Sequence, residues 1–379
     1  MRVGSPQTFG PYILYEQLGK GGMASVHLAD RRNSDGSKVR VALKRLLPRA
    51  EAQPELVESF LREARLLQYL NHPNIAGTYE FGQVGSTHYI AMEYVPGPTL
   101  KRLVQHCGKT VGPIPIAITL DIAAQICDGL DHAHTCRDEH NRPLGIVHRD
   151  ISPANIIFSD NDGLVKLIDF GLAKAKVSTT ITGEGVIKGK FNYVAPEYLG
   201  GKLDARADLW AVGVVMYELL TSRRLFDAPD DFETMTRVRK LPIPRPSRAN
   251  PKVSKDLDKI VMTALERDPA KRWQTAAQMR DALRALIESG KFVERKHTIA
   301  WVRWAFQQKP GSKMTSESKL ASMINPPQPP PIPTGPVTAE TTIPTDAGSE
   351  SIKRAGAVWV VLALLMVLAS AFAVWKLAS

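Results

Sequence analysis

The chain has 379 residues, 44% of them apolar and 23% charged, so it can bury a substantial core, is not of disordered composition and has the length for more than one folded unit. Lysine and arginine exceed the acids by 49 − 38 = 11, yet the basic residues are scattered without an aromatic-interleaved stripe; nucleic acid is therefore not an expected partner, and nucleotides or an anionic membrane face suit the excess better. Cys107, Cys127 and Cys136 are odd in number and lack paired metal spacing, which argues against a zinc site and for buried thiols in a reducing compartment.

The N-terminus shows no apolar run before a small-residue cleavage site, so no secretory signal is expected. A strand is predicted over 12–18, followed by GKGGMASVHLA at 19–29. Three glycines in four positions describe either a plain tight turn or a hairpin tip whose N–H groups can lie over phosphates. Residues 39–46, VRVALKRL, alternate as a strand does and set Lys44 among apolar neighbours. Residues 54–70 carry Phe60, Leu61, Ala64, Leu67 and Leu70 at near-helical spacing, with Glu63 inside the helix. A buried strand at 89–95 ends at Pro96-Gly97-Pro98, a lobe boundary. Beyond it, 116–134 reads as a long apolar-rich helix. His132, His134 and His140 share no metal-ligand arrangement and are read as structural or surface residues.

Residues 145–158, GIVHRDISPANIIF, place His148, Arg149 and Asp150 in a turn between apolar runs. Asn155 follows at a spacing that can return its amide to Asp150, and an acid with a carboxamide so placed suits phosphoryl transfer. Residues 164–171, LVKLIDFG, form a short strand ending in Asp169, which can ligate a hard cation or simply initiate a turn. Residues 172–194 are polar, with Ser178, Thr179, Thr180 and Thr182, and are expected to form a loop that phosphorylation could order. Ala195-Pro196-Glu197 closes it, and 208–220 is apolar enough for a central buried helix.

The ordered series GKGGMASV, VALK, an REA helix, HRDISPAN, DFG, APE and DLWAVG resembles the bacterial eukaryotic-like (Hanks-type) Ser/Thr protein kinases over residues 9–288. The resemblance implies an α+β, two-lobed kinase fold: a small antiparallel sheet with one helix, then a larger helical lobe, with ATP between them. It implies that Leu18, Gly19, Lys20, Gly21, Gly22, Val26, Ala42, Met92, Glu93 and Val95 surround the nucleotide, and that Lys44, paired with Glu63, holds its phosphates. Asp150 would orient the substrate hydroxyl, Asn155 and Asp169 would hold Mg²⁺, Glu197 would pair with Arg272, and Asp208 would tie the catalytic loop to the central helix. Ala24 stands where the third glycine of the loop is expected, and two further departures from the family matter more. Ser152 stands where a lysine usually steadies the transferred phosphate, and Lys190 where a threonine usually contacts that lysine. A swap is expected, the Lys190 ammonium supplying the charge that position 152 lacks; the alternative is that Lys190 meets only solvent or acidic substrate. Arg149 beside Asp150 calls for an anion, which autophosphorylation at Ser178, Thr179, Thr180 or Thr182 would supply. The rival class is a pseudokinase, a nucleotide-binding membrane scaffold.

From 289 to 354 the sequence is expected to lose globular character and to act as a disordered linker rich in Pro, Ser and Thr, with PPQPPPIPTGP as an extended spacer. Residues 355–375 carry no charge, are flanked by Lys353-Arg354 and Lys376, and place Trp359 and Trp375 near the ends, the pattern of a transmembrane helix. The kinase is then expected on the cytoplasmic face of the cell (inner) membrane, with 376–379 as an extracytoplasmic tail and no external sensor in this chain. Small residues in the span (Gly356, Ala363, Ala369, Ala373) permit pairing into a homodimer.

Overall fold

The computed structural model describes residues 6–33, 35–171, 191–200, 203–290, 293–312 and 314–325. The N-terminal part is a six-stranded antiparallel sheet in the order β1-β2-β3-β4-β6-β5. Its strands are β1 (Gln7–Phe9), β2 (Tyr12–Lys20), β3 (Ala24–Arg32), β4 (Lys38–Leu46), β5 (Thr78–Val84) and β6 (Thr87–Glu93). Alternation along β4 divides its side chains between two faces. Val41 and Leu43 join Phe9, Tyr12, Leu14 and Tyr89 in one apolar cluster, while Leu46 and Ile90 pack with Phe60 and Ala64 of the helix α2 (Pro54–Leu67) on the other. The expected single helix of this lobe is joined by a one-turn helix, α1 (Pro48–Glu51), which the Pro48 ring starts.

The second lobe is helical. α3 (Leu100–Thr110) and α4 (Ile116–Thr135) follow the Pro96-Gly97-Pro98 exit from the sheet; then come a two-stranded hairpin, β7 (Ile156–Phe158) and β8 (Val165–Leu167), and the helices α5 (Arg206–Thr221), α6 (Asp231–Lys240), α7 (Lys255–Ala264) and α8 (Ala276–Ser289). α5 is buried on every side from Ala207 to Thr221, as its largely apolar sequence predicts, with Asp208 and Glu218 buried within it. Gly97 has φ +144°, and a Cβ there would lie 2.0 Å from the Phe158 carbonyl oxygen, so only glycine lets the chain leave the sheet this close to β7.

The linker expected from 289 is corrected over its first part. Residues 295–324 hold α9 (Arg295–Gln307) and α10 (Ser316–Ile324), and Trp301, Val302, Ala305 and Leu320 are buried in the same core as α3, α4 and α5. Charged and polar residues in this stretch hide an apolar set whose periodicity is helical, and burial of a tryptophan and its neighbours outweighs the polar composition. The remainder of that linker and the span at 355–375 lie outside the described residues. Among the described residues no helix is long and apolar enough to cross a membrane.

Candidate active site

The site gathers where the concave face of the sheet meets the β7–β8 hairpin. On β4, Lys44 lies opposite Val26 and Ile90, on the side that α2 covers. Its Nζ donates to Glu63 Oε1 at 2.8 Å and lies 3.3 Å from Asp169 Oδ1. Glu63 is 2% exposed at its side chain because Phe60, Ala64 and Leu67 hold its helix against the sheet. Burial works against the Lys44 charge, but the carboxylates of Glu63 and Asp169 outweigh it and hold the ammonium above the ordinary lysine range.

The loop between β2 and β3 is pinned where sequence gave no hint. Gly21 N–H donates to the Ala24 carbonyl at 2.8 Å, and Arg49 of α1 donates to the Gly22 carbonyl through Nε at 3.0 Å and Nη2 at 2.6 Å. A Cβ at Gly19 or Gly22 would meet nothing within 4 Å, which leaves open space over the loop. Ala42 pairs with Met92 and Leu28 across the sheet, two residues from Lys44, and Leu18 near the end of β2 is 45% exposed. Glu93, at the end of β6, is engaged through its side chain by Lys166 of β8 at 2.8 Å and by the Gly77 N–H at 3.1 Å. That ion pair ties the exit of the sheet to the hairpin, and Lys166 was not foreseen. Val95 is buried at the same exit.

Asp208, 1% exposed, organises the loop bearing Asp150. Its carboxylate accepts from the N–H groups of His148 and Arg149, both at 2.8 Å, and contacts His134 Nε2 at 2.9 Å. Burial would raise this carboxyl, but the His134 contact and the backbone donors hold it below the usual aspartate range. Arg149 (φ +63°) and Asp169 (φ +57°) both occupy the left-handed region, a cost of about 1–2 kcal/mol each that the surrounding bonds sustain. Arg149 Nε is buried without a hydrogen-bond partner among the described residues. Asn155 Nδ2 donates to the Asp150 carbonyl at 2.8 Å and to Asp150 Oδ2 at 2.9 Å, as the spacing foretold. The Ile168 N–H donates to the Asn155 carbonyl, and Gly171 N–H to that of His148, so the strand end bearing Asp169 is stitched to the same loop.

The structure thus brings Lys44, Glu63, Asp150, Asn155 and Asp169 to one place. Asn155 and Asp169 offer hard oxygen donors, which fit Mg²⁺, and no cluster of three His, Cys, Asp or Glu exists among the described residues; such a cation would draw its remaining ligands from phosphate and water. Ser152 is extended and accepts from the Asn155 N–H through its carbonyl. Lys190, Ser178, Thr179, Thr180 and Thr182 lie outside the described residues. Glu197 and Arg272 pair through two bonds of 2.7 and 2.6 Å, and Arg272 also stands 5.2 Å from the Trp210 ring centre. A separate cavity of about 610 Å³ opens between α1, α2 and β6, lined by Ala52, Pro54, Val57, Leu61 and His88, and contains none of these residues.

Comparison with known proteins agrees with this geometry. The family model for the protein kinase domain matches residues 12–283. The chain is 37% identical over 282 residues to the tyrosine-protein kinase MasK of Myxococcus xanthus, covering 74% of this chain and 44% of that one. It is 35% identical to the serine/threonine-protein kinase PrkC of Bacillus subtilis (76% and 42% covered) and 38% identical to PknB of Mycobacterium tuberculosis (71% and 42%). The chain therefore spans less than half the length of these relatives. Among solved structures, the PknI kinase domain of Mycobacterium tuberculosis superposes with a TM-score of 0.55 at 27% identity, over 74% of this chain and 98% of that one.

Proposed function

Since this chain belongs to the protein kinase family, we propose that it is a Ser/Thr protein kinase that moves the ATP γ-phosphoryl group to protein hydroxyls from a membrane-anchored position. The observation that carries the reading is the convergence of the Lys44–Glu63 pair with Asp150, Asn155 and Asp169. In it, Lys44 holds the nucleotide phosphates, Leu18, Val26, Ala42 and Met92 enclose the base, and the backbone of Glu93 and Val95 faces it. Asn155 and Asp169 hold Mg²⁺, which when bound offsets phosphate charge. Asp150, oriented by the Asn155 amide, accepts the proton of the attacking hydroxyl.

The reading extends to regulation and place. Arg149, whose Nε has no hydrogen-bond partner among the described residues, receives a phosphate carried by Ser178, Thr179, Thr180 or Thr182, and Lys190 supplies charge that Ser152 cannot. Residues 355–375 anchor the chain in the inner membrane, with the kinase on the cytoplasmic side. A second reading of the acceptor, tyrosine, draws on the likeness to the tyrosine-protein kinase MasK and on the short Ser152 side chain two residues after Asp150. One experiment separates these readings: full-length parent and Asp150→Asn are incubated with radiolabelled ATP and Mg²⁺, followed by phosphoamino-acid analysis. Label on serine and threonine in the parent, and its loss by about 10²-fold or more in the variant, is expected. Equal labelling would return the chain to the pseudokinase reading, and label confined to tyrosine would reassign the acceptor.

A further inference from the structure

Asn155 and Asp169 stand at the two open ends of one hairpin: Asn155 immediately precedes β7, and Asp169 lies two residues after the end of β8. Each strand has three residues, so the closed end at 159–164 lies only about 10 Å from the ends that matter. A displacement at the turn is therefore delivered to both residues with little room for absorption.

That closed end rests on α9. Arg303 Nη2 donates to the Asp160 carbonyl at 3.2 Å. Gly163, at φ +70°, sits so close that a Cβ there would lie 3.0 Å from Ile299 Cγ1 and 3.5 Å from Arg295 Cβ. Positions 295, 299 and 303 recur every four residues, so one face of α9 lies along the turn. The same turn is bonded to the exit from the sheet, with the Asp160 N–H on the Pro96 carbonyl at 2.9 Å and the Phe158 N–H on that of Pro98 at 3.0 Å.

α9 is itself held firmly. Trp301 is fully buried and donates through Nε1 to the Ser316 carbonyl at 3.1 Å. His106 of α3 lies 2.9 Å from the Ala305 carbonyl, and Arg102 stands over the Phe306 ring. α10 joins α3 to α4: Ser316 donates to the Val111 carbonyl at the end of α3, and Glu317 accepts the Ile116 N–H at 2.8 Å. Pro115 gives α4 no side-chain cap, so the Glu317 carboxylate serves in its place at the positive end of that helix.

We propose that residues 295–324 form a brace integral to the catalytic unit, and that Ile299 and Arg303 are positioning residues that set Asn155 and Asp169 through the hairpin turn. The proposal rests on the reading of Asn155 and Asp169 as metal-holding residues, and its test keeps the two apart. Full-length Ile299→Ala and Arg303→Ala are compared with the parent and with Lys296→Ala, an exposed change on the same helix. Amide hydrogen exchange of the nucleotide-free protein is the first measurement. Exchange across 156–168 is expected to quicken in both variants by about two- to thirtyfold, the range for side chains acting through packed neighbours, while α5 is unchanged. The second measurement is the Mg²⁺ concentration for half-maximal phosphotransfer at saturating ATP, expected to rise by a similar factor with kcat little altered.

Unchanged exchange at the hairpin overturns the brace, and so does faster exchange that spreads equally to α5, because that is general destabilisation. Faster hairpin exchange with an unmoved Mg²⁺ dependence overturns the positioning role. Asp169→Asn in the same titration isolates the premise: if it too leaves the Mg²⁺ dependence alone, the metal reading has failed, and the brace is judged on exchange.

Discussion

Lys44 and Glu63 illustrate how a site residue can also be a structural liability. The carboxylate is almost wholly buried, and the ammonium that neutralises it is 13% exposed at its side chain. Removing one member leaves a buried charge without compensation, which costs more than the pair contributes when intact. Lys44→Met is therefore expected to lower unfolding free energy by about 3 kcal/mol or more, and Lys44→Met with Glu63→Leu to recover most of that loss. Denaturant unfolding of the three proteins measures it. The identity of both residues was legible in the sequence, as strand and helix positions. Their contact was known there only through family resemblance, since 19 residues separate them and no local pattern reports a contact of that range.

At the scale of elements, α5 carries two buried carboxylates that answer pH in opposite senses. Asp208 lies in its first turn, where the helix dipole and three donors favour the charged form. Glu218 lies near the other end, where burial raises its carboxyl above the ordinary glutamate value despite the bond from the Tyr193 hydroxyl. A carboxyl raised on folding contributes stability fully present below its unfolded pKa and lost as pH rises through its folded pKa. Glu218→Gln has no such loss, so its melting temperature relative to the parent is expected to become more favourable from about pH 4 to about pH 7. Thermal melts of both proteins across that range decide it, and a difference independent of pH would contradict the assignment. The helical run itself was plain in the sequence at 208–220. That it would be surrounded, and that Asp208 would receive two backbone N–H groups 59 and 60 residues away, depended on packing.

For the whole molecule, the two lobes are joined at the site by ion pairs, Lys44 with Asp169 and Glu93 with Lys166, and by the Ala76 N–H on the Leu167 carbonyl. The chain beyond 325 leads through a proline-rich stretch to the uncharged run at 355–375. Deleting 355–379 is expected to move the protein from the membrane to the soluble fraction, read by fractionation and immunoblot; retention on the membrane would refute the anchor. By itself the sequence determined the strands at 12–18, 39–46 and 89–95, the helices at 54–70, 116–134 and 208–220, the order of the chemical motifs, and the adjacency of Asp150 and Asn155, because periodicity and short-range spacing are local properties. Only the tertiary structure decided that Arg49 pins the glycine loop, that Lys166 reaches Glu93, and that 295–324 is folded onto the helical lobe rather than being the start of a linker. Those outcomes depend on which surfaces meet across a long stretch of chain, and burial of Trp301 against α3 outweighs a local composition that reads as polar.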